Sequence, residues 1–351
     1  MLNVYDKSSP NDWNNIVKSF DNWDVYYLFE YAYSLSVHGD GEPLLFYYSD
    51  DECRICLVTM KSDISFCDKY EGQLEIGKYY DLETPYGYGG PLADAHEISR
   101  ESQEKFYELI QDYCSNHRIV SMFVRLDPLV FKDNNMSCVI EGRYLRDTIY
   151  IDTTSEEVIL KNMDPKCRNM FRKAQKNGVT IERKPLTEYF DFIPIYNETM
   201  DNNEADGYYY FGEKYYKELS KLNKNGWIYY AYMNDKPVSA AIILYNDNNM
   251  HYHLSGTLVE YRKYSPGNLL LYVAACDACR EGISRFHLGG GISADDRLFG
   301  FKKQFNRSGR LPFIVGRSIF DRKLYEELLD IREELDNNFD RNNGFMIQYR
   351  R

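Results

Sequence analysis

The chain has 351 residues, more than one ordinary domain of about 100 to 200 residues holds, so two domains are expected to share it. A net charge of −12 excludes a general nucleic-acid binder, which needs a basic footprint, and no run approaches the roughly 18 uninterrupted apolar residues of a membrane-spanning helix. Residues 1–10 lack the basic start and apolar run of a secretory signal, and eight cysteines scattered through a long chain do not frame a disulfide scaffold, so a cytoplasmic address with free thiols is expected.

In chain order, residues 44–48 and 53–60 read as a strand pair across the turn Ser49-Asp50-Asp51. Cys53 and Cys56 invite a zinc or redox reading, but residues three apart on a strand point to opposite faces and cannot share a metal. A Gly-rich loop follows, Thr84-Pro85-Tyr86-Gly87-Tyr88-Gly89-Gly90-Pro91. Residues 99–114 then read as a helix, with Phe106, Leu109, Ile110 and Tyr113 at helical spacing, and residues 119–124 as a buried strand. The 33 tyrosines are read as amphipathic rings at strand faces and pocket walls.

Between residues 161 and 184 the acidic chain turns basic, with eight Lys or Arg against Asp164 and Glu182, a local net charge of +6. Cys167, Met170, Phe171 and Ala174 take helical spacing while Arg168, Arg172 and Lys176 fall at four-residue steps on another face, and Gly178 is placed to end the helix. Such a face either sits in solvent or meets phosphate.

The second half repeats the order of the first. Residues 227–233, 238–245 and 250–255 read as strands, the first two around the turn Asn234-Asp235-Lys236-Pro237. The loop ending in Ser265-Pro266-Gly267-Asn268 leads into a helix with Leu269, Tyr272, Val273, Cys276 and Ile283 on its apolar face, so Cys276 and Cys279 read as core residues. A helix N-terminus offers unpaired N–H groups and the positive end of its dipole, which suits Ser265, Gly267 and Asn268 to phosphate of a donor. Residues 286–288 are a short strand ended by Gly289-Gly290-Gly291, beyond which Lys302 lies on a segment anchored by Phe299, Phe301 and Phe305. An ammonium there could stabilise the oxyanion of an acyl transfer. The tail reads as a strand at 313–315 and a charged helix at 324–335.

Taken together, Tyr86-Gly87-Tyr88-Gly89-Gly90-Pro91, the basic helix with Arg168 and Arg172, the strand His251-Tyr252-His253-Leu254-Ser255-Gly256 and the ending Gly-Gly-Gly…Phe301-Lys302-x-x-Phe305 resemble the FemABX family of peptidyltransferases, over roughly residues 25–310. The resemblance implies an α/β fold of two tandem acyltransferase domains of the GNAT type, residues 1–150 and 151–312, with 313–351 packing back on them. It implies Lys302 as the group assisting acyl transfer, Tyr252 and His253 lining the acceptor cleft, and Tyr86, Tyr88, Arg168 and Arg172 binding substrate. It further implies an activated acyl or aminoacyl group passed to an amine of a nucleotide-linked or lipid-linked cell-wall or surface-polysaccharide precursor. The co-substrate is then aminoacyl-tRNA or acyl-CoA, with no permanently bound cofactor or metal. Family members with a coiled-coil arm carry a long helix pair that this sequence lacks, and its acidity leaves only residues 161–184 as a surface for tRNA. No Cys/His or Ser/His/Asp grouping is legible, so direct attack by the amine is expected. Two alternatives keep the fold: an acyl-CoA-dependent N-acetyltransferase acting on an amino sugar or small amine, and a degenerate module that only binds.

Overall fold

The computed structural model describes residues 1–94, 98–130 and 139–351. The chain divides into two units, one made of Met1–Leu145 with Phe313–Arg351 and the other of Arg146–Pro312. The first contains β1 (Leu2–Tyr5), α1 (Pro10–Lys18), α2 (Phe29–His38), β2 (Glu42–Ser49), β3 (Arg54–Asp63), β4 (Tyr80–Glu83), the two-residue β5 (Leu92–Ala93), α3 (Arg100–Asn116) and β6 (Ile119–Arg125). β7 (Glu141–Asp152) then carries the chain into the second unit.

There follow α4 (Glu156–Asn162), α5 (Pro165–Lys176), β8 (Thr180–Pro185), α6 (Phe192–Asn202), α7 (Glu213–Leu219), β9 (Gly226–Met233), β10 (Lys236–Tyr245), β11 (Asn249–Thr257), α8 (Pro266–Arg280), β12 (Arg285–Gly289) and α9 (Arg297–Lys303). β13 (Arg310–Ile319) returns the chain to the first unit, where α10 (Arg322–Leu335) also belongs. The tail is therefore part of the first unit's own fold: Tyr325, Leu328 and Leu329 of α10 are buried with Ile64, Tyr70 and Val120. Arg350 closes it by donating to buried Asp81 at 2.7 and 2.5 Å.

Each unit has the same topology. In the first, β1, β2, β3 and β4 pair antiparallel in sequence order, β6 joins β4 in parallel after the crossover helix α3, and β13 lies antiparallel beside β6. In the second, β8, β9, β10 and β11 repeat the antiparallel run, β12 joins β11 in parallel after α8, and β7 lies antiparallel beside β12. A pair of helices separates the first two strands in each, α1 with α2 and α6 with α7. A parallel neighbour demands a crossover long enough to hold a helix, so the strand order itself dictates α3 and α8.

Both sheets are covered on two faces, which explains their near-continuous apolar strands. Leu44, Phe46, Ile55 and Leu57 pack with Phe106, Ile110 and Cys114 of α3. α2 packs on the same two strands, whose alternate residues Leu45, Cys56 and Val58 are buried too. Seven cysteines are free, while Cys138 lies outside the described residues. Burial pushes the thiols of both Cys53 and Cys56 up, the first to about 11, as befits thiols packed in a core. In the second unit α8 is buried almost all round: Leu269, Leu270, Leu271, Ala274, Ala275 and Ala278 are all in its core. Each buried leucine there contributes about 1.5 to 3 kcal/mol. On another side α6 packs on β11 at Gly256, where a Cβ would lie only 2.5 Å from the Ile195 carbonyl oxygen.

Candidate active site

The second unit's parallel strands stay together only briefly. β11 and β12 are in register at Asn249 with Arg285, Met250 with Phe286 and His251 with His287, and the pairing ends there. Beyond that point β11 continues beside β10 alone and β12 beside β7. A bulge marks the parting, for Ile242 opposes Leu254 and Ile243 opposes Tyr252, leaving His253 with no cross-strand partner position. An extra residue bends the strand, so backbone and side chains beside His253 border a gap between the two strands.

Lys302 stands at this gap. Its Nζ donates to the Gly290 carbonyl at 2.7 Å and lies 5.9 Å from the centroid of the Tyr252 ring. Only 8% of Lys302 is exposed, unusual for a lysine, and burial pulls its ammonium down from 10.5 to about 8 while Asp296 acts in the opposite sense. At pH 7 the cation still outnumbers the amine by about ten to one. Burial pushes the Tyr252 hydroxyl up to about 12, against an opposing effect of Ser255, so it stays protonated. His287, one strand away, is held well below its ordinary value by burial first, then by His251 and Lys302. Lys302 thus places a buried cation beside the Tyr252 ring.

Lys302 is carried on α9, whose N-cap Asp296 accepts from the Phe299 amide at 2.7 Å. Asp296 also accepts from the amides of Ile292 at 2.6 Å and Ser293 at 2.9 Å. Burial alone would raise that carboxyl, and the backbone N–H groups overcome it and hold it low. Gly291 is required for this approach, because a Cβ there would fall 2.2 Å from Oδ1 of Asp296.

Of the residues expected from sequence, Tyr252 and Lys302 are brought together. His253 goes elsewhere: its Nε2 pairs with the Tyr215 hydroxyl of α7 at 2.8 Å, and burial with the nearby His251 pulls the imidazole down to about 3. Consecutive strand residues turn to different neighbours, so Tyr252 joins the core beneath α8 while His253 meets α7. Of the two, Tyr252 therefore stands nearer Lys302, while His253 is bonded to α7.

The start of α8 is likewise tied to α5. Ser265, at a φ of 61°, donates through Oγ to Met170 Sδ at 3.3 Å, and Asn268 Nδ2 contacts Cys167 Sγ at 3.6 Å. Those two side chains are thus spent on α5, and what α8 presents is backbone N–H. Gly267 has room for a Cβ, whose nearest neighbours would be Thr257 Oγ1 at 3.7 Å and Ser239 Oγ at 3.8 Å, so protein packing does not require glycine there.

α5 buries Cys167, Phe171 and Ala174 and stacks Phe171 on Tyr272 of α8 at 4.1 Å. Lys166, Arg172, Lys173 and Lys176 are exposed on it, as are Arg262 and Lys263 in the turn before α8. Arg168 is not wholly available, since it donates to the Leu160 carbonyl of α4 at 2.8 Å, and Arg183 is paired with Glu281.

Tyr86 and Tyr88 belong to the first unit. The Tyr86 carbonyl accepts from the Tyr31 hydroxyl at 2.5 Å, and the Tyr88 ring meets Tyr26 at 5.7 Å and Phe313 at 5.3 Å. Asp296, Tyr215 and Arg146 were not foreseen. For Asp296 the signal was present: an Asp three residues before Phe299 at the start of an apolar helical run is an N-cap pattern.

Four antiparallel strands, a crossover helix and a parallel strand that parts from its neighbour make up a GNAT fold. Residues 164–303 match the model of the acetyltransferase (GNAT) domain, which spans the whole of this constellation. Over the full chain the architecture is similar to that of FemX, at 13% identity and a TM-score of 0.67, covering 91% of this chain and 98% of that one. It is also similar to the C-terminal domain of a putative lysylphosphatidylglycerol synthetase from Agrobacterium fabrum, at 10% identity, TM-score 0.55 and coverages of 93% and 95%. L-PGS from Bacillus licheniformis matches at 12% identity, TM-score 0.53 and coverages of 87% and 92%. No curated protein matches by sequence. The FemABX-like fold expected from the motifs is borne out, and the match to the acetyltransferase domain supports an acyltransferase. Among the described residues no helix is long and apolar enough to cross a membrane.

Proposed function

We propose that the chain transfers an activated acyl or aminoacyl group onto an amine of a cell-envelope precursor, with the bond made in the gap between β11 and β12. The observation that carries the reading is the buried ammonium of Lys302 at the point where those strands part. The amine nitrogen attacks the donor's carbonyl carbon, whose oxygen becomes an oxyanion beside Lys302. Collapse breaks the C–S bond of a thioester or the C–O bond of an ester, and the nitrogen's surplus proton leaves to the departing thiolate or alkoxide. A fixed cation where the negative charge develops favours the transition state over the ground state.

Donor phosphates would meet the backbone N–H groups at the start of α8 and the exposed cations Lys166, Lys173, Arg262 and Lys263. The match to the GNAT domain favours acyl-CoA, and the similarity to FemX and the lysylphosphatidylglycerol synthetase supports aminoacyl transfer to an envelope acceptor. The two donors are separated by incubating the chain with radiolabelled acetyl-CoA or a radiolabelled aminoacyl-tRNA. Each is offered with an amino sugar and with a nucleotide-linked muramyl peptide bearing a free amine. Label transferred to an amine supports the reading and names the donor, and no transfer from either donor to either acceptor overturns it.

A further inference from the structure

The loop of residues 290–295 has small residues and little packing, with Ile292 80% exposed, yet it supplies the carbonyl that holds Lys302. Its shape must come from hydrogen bonds, and two charged side chains provide them. Arg146 of β7 donates through Nη1 to the Gly291 carbonyl at 2.7 Å and to the Ile292 carbonyl. Asp296 accepts from the Ile292 and Ser293 amides at 2.6 and 2.9 Å. The carbonyls of Gly291 and Ile292 and the amides of Ile292 and Ser293 are thus held by opposite charges. The same Asp296 carboxylate caps α9 through the Phe299 amide, and α9 carries Lys302.

We propose that Asp296 is the positioning residue for Lys302: one carboxylate fixes both the loop that presents the Gly290 carbonyl and the helix that delivers the ammonium to it. The proposal rests on Lys302 being the group that meets the oxyanion. Asp296 touches no substrate in this arrangement, since its oxygens are spent on three backbone amides. It also supplies the negative charge that opposes the effect of burial on Lys302. The other titratable or charged groups around the lysine are Tyr252 on β11, His287 on β12, Arg146 on β7 and, on α9 itself, Arg297 and Lys303. Asp295 of the same loop and Asp147 of β7, both paired with Arg310, are further charges nearby, and a change at Asp296 leaves all of these groups in place, so the change in titration reads the Asp296 carboxylate.

The test follows the titration of Lys302 in the full chain by NMR after labelling lysine at Cε with carbon-13, the Lys302 signal being assigned by its loss in Lys302→Met. Asp296→Asn removes the charge and keeps one acceptor oxygen, enough for the Phe299 cap, while the second oxygen's bonds to the Ile292 and Ser293 amides are lost. Lys302 is expected to titrate near pH 8 in the parent and at least about half a pH unit lower in the folded variant. A purely structural role would lower the melting temperature and leave the titration where it was. Should Asp296→Asn unfold, Asp296→Ser, which also caps without charge, carries the same measurement. An unshifted Lys302 titration in a folded variant overturns the proposal. Failure of the catalytic reading is separate: it appears as full turnover by Lys302→Met and does not move this titration. If both hold, Lys302→Met/Asp296→Asn turns over no more slowly than Lys302→Met alone.

Discussion

Replacing Lys302 with Met removes the ammonium at the strand gap while nearly conserving the side chain's length and apolar stem. Loss of one such preorganised donor costs about 10² to 10³ in kcat, equivalent to about 3 to 4 kcal/mol of transition-state stabilisation, with little change in donor KM. Stability should move the other way. Folding lowers the lysine from 10.5 to about 8, so below pH 8 the folded state carries a buried cation at a cost of about 3 kcal/mol relative to the unfolded chain. The hydrogen bond to the Gly290 carbonyl at 2.7 Å returns about 1 to 2 kcal/mol of what its removal would gain. Lys302→Met is therefore expected to melt at the parent's temperature or slightly above it at pH 7. Between about pH 8 and 10.5 the unfolded parent binds more protons than the folded one, so its stability rises with pH relative to the variant. The ammonium is the active form, and kcat of the parent should fall as pH rises through about 8. Initial rates with the donor and acceptor found above, together with calorimetry from pH 6 to about 10, measure all of this. A variant with near-parental kcat, or one that loses several kcal/mol of stability, refutes the reasoning.

Reversing Arg172, Lys173 and Lys176 to Glu, while sparing Arg168 because it holds the end of α4, should raise the donor's KM at least tenfold at low salt, with the gap to the parent shrinking as salt rises. Kinetics unaffected by the reversal would make that face of α5 an ordinary solvated surface. Gly256→Ala places a Cβ 2.5 Å from the Ile195 carbonyl oxygen and should cost about 1 to 3 kcal/mol in urea unfolding, by forcing α6 off β11. A change within about 0.5 kcal/mol would mean that α6 yields freely.

The central strands and crossover helices were legible because their apolar periods are long and regular. The expected strand over residues 53–60 is β3, Arg54–Asp63, and the expected helix over 99–114 is α3, Arg100–Asn116, capped by Ser99. What escaped was short or polar. β8 carries Thr180, Glu182, Arg183 and Lys184, and its place at the sheet edge asks for no apolar face. β4 has four residues and lies under a loop whose glycines dominate the sequence signal. Lys302 was found because a lysine among three phenylalanines is incongruous, but its acceptor carbonyl leaves no trace in sequence. Neither the bulge beside Tyr252 and His253 nor the Tyr215 partner of His253 can be read from side-chain pattern.

Two glycine-rich loops border the parallel strand pairs in opposite ways, one following β4 in the first unit and the other following β12 in the second. In the first unit β4 and β6 are in register from Tyr80 with Ile119 to Glu83 with Phe123, and the chain after β4 keeps bonding to β6. The Thr84 amide donates to the Phe123 carbonyl at 3.0 Å, Gly89 N to the Arg125 carbonyl at 2.8 Å, and Asp127 N to the Gly89 carbonyl at 2.9 Å. Gly90, at a φ of 96°, packs so tightly that a Cβ would meet Leu126 at 2.6 Å. There glycine lets the loop lie against the neighbouring strand and fill the space between. In the second unit Gly289 ends β12 and the following glycines turn away toward Asp296, so the equivalent space after His251 and His287 stays unbridged by main-chain pairing. The unit with the parted strands is also the one that holds the buried lysine and matches the acetyltransferase domain over residues 164–303. The repeated fold thus leaves its parallel strands parted in one unit and bridged in the other, and backbone hydrogen bonds make that difference.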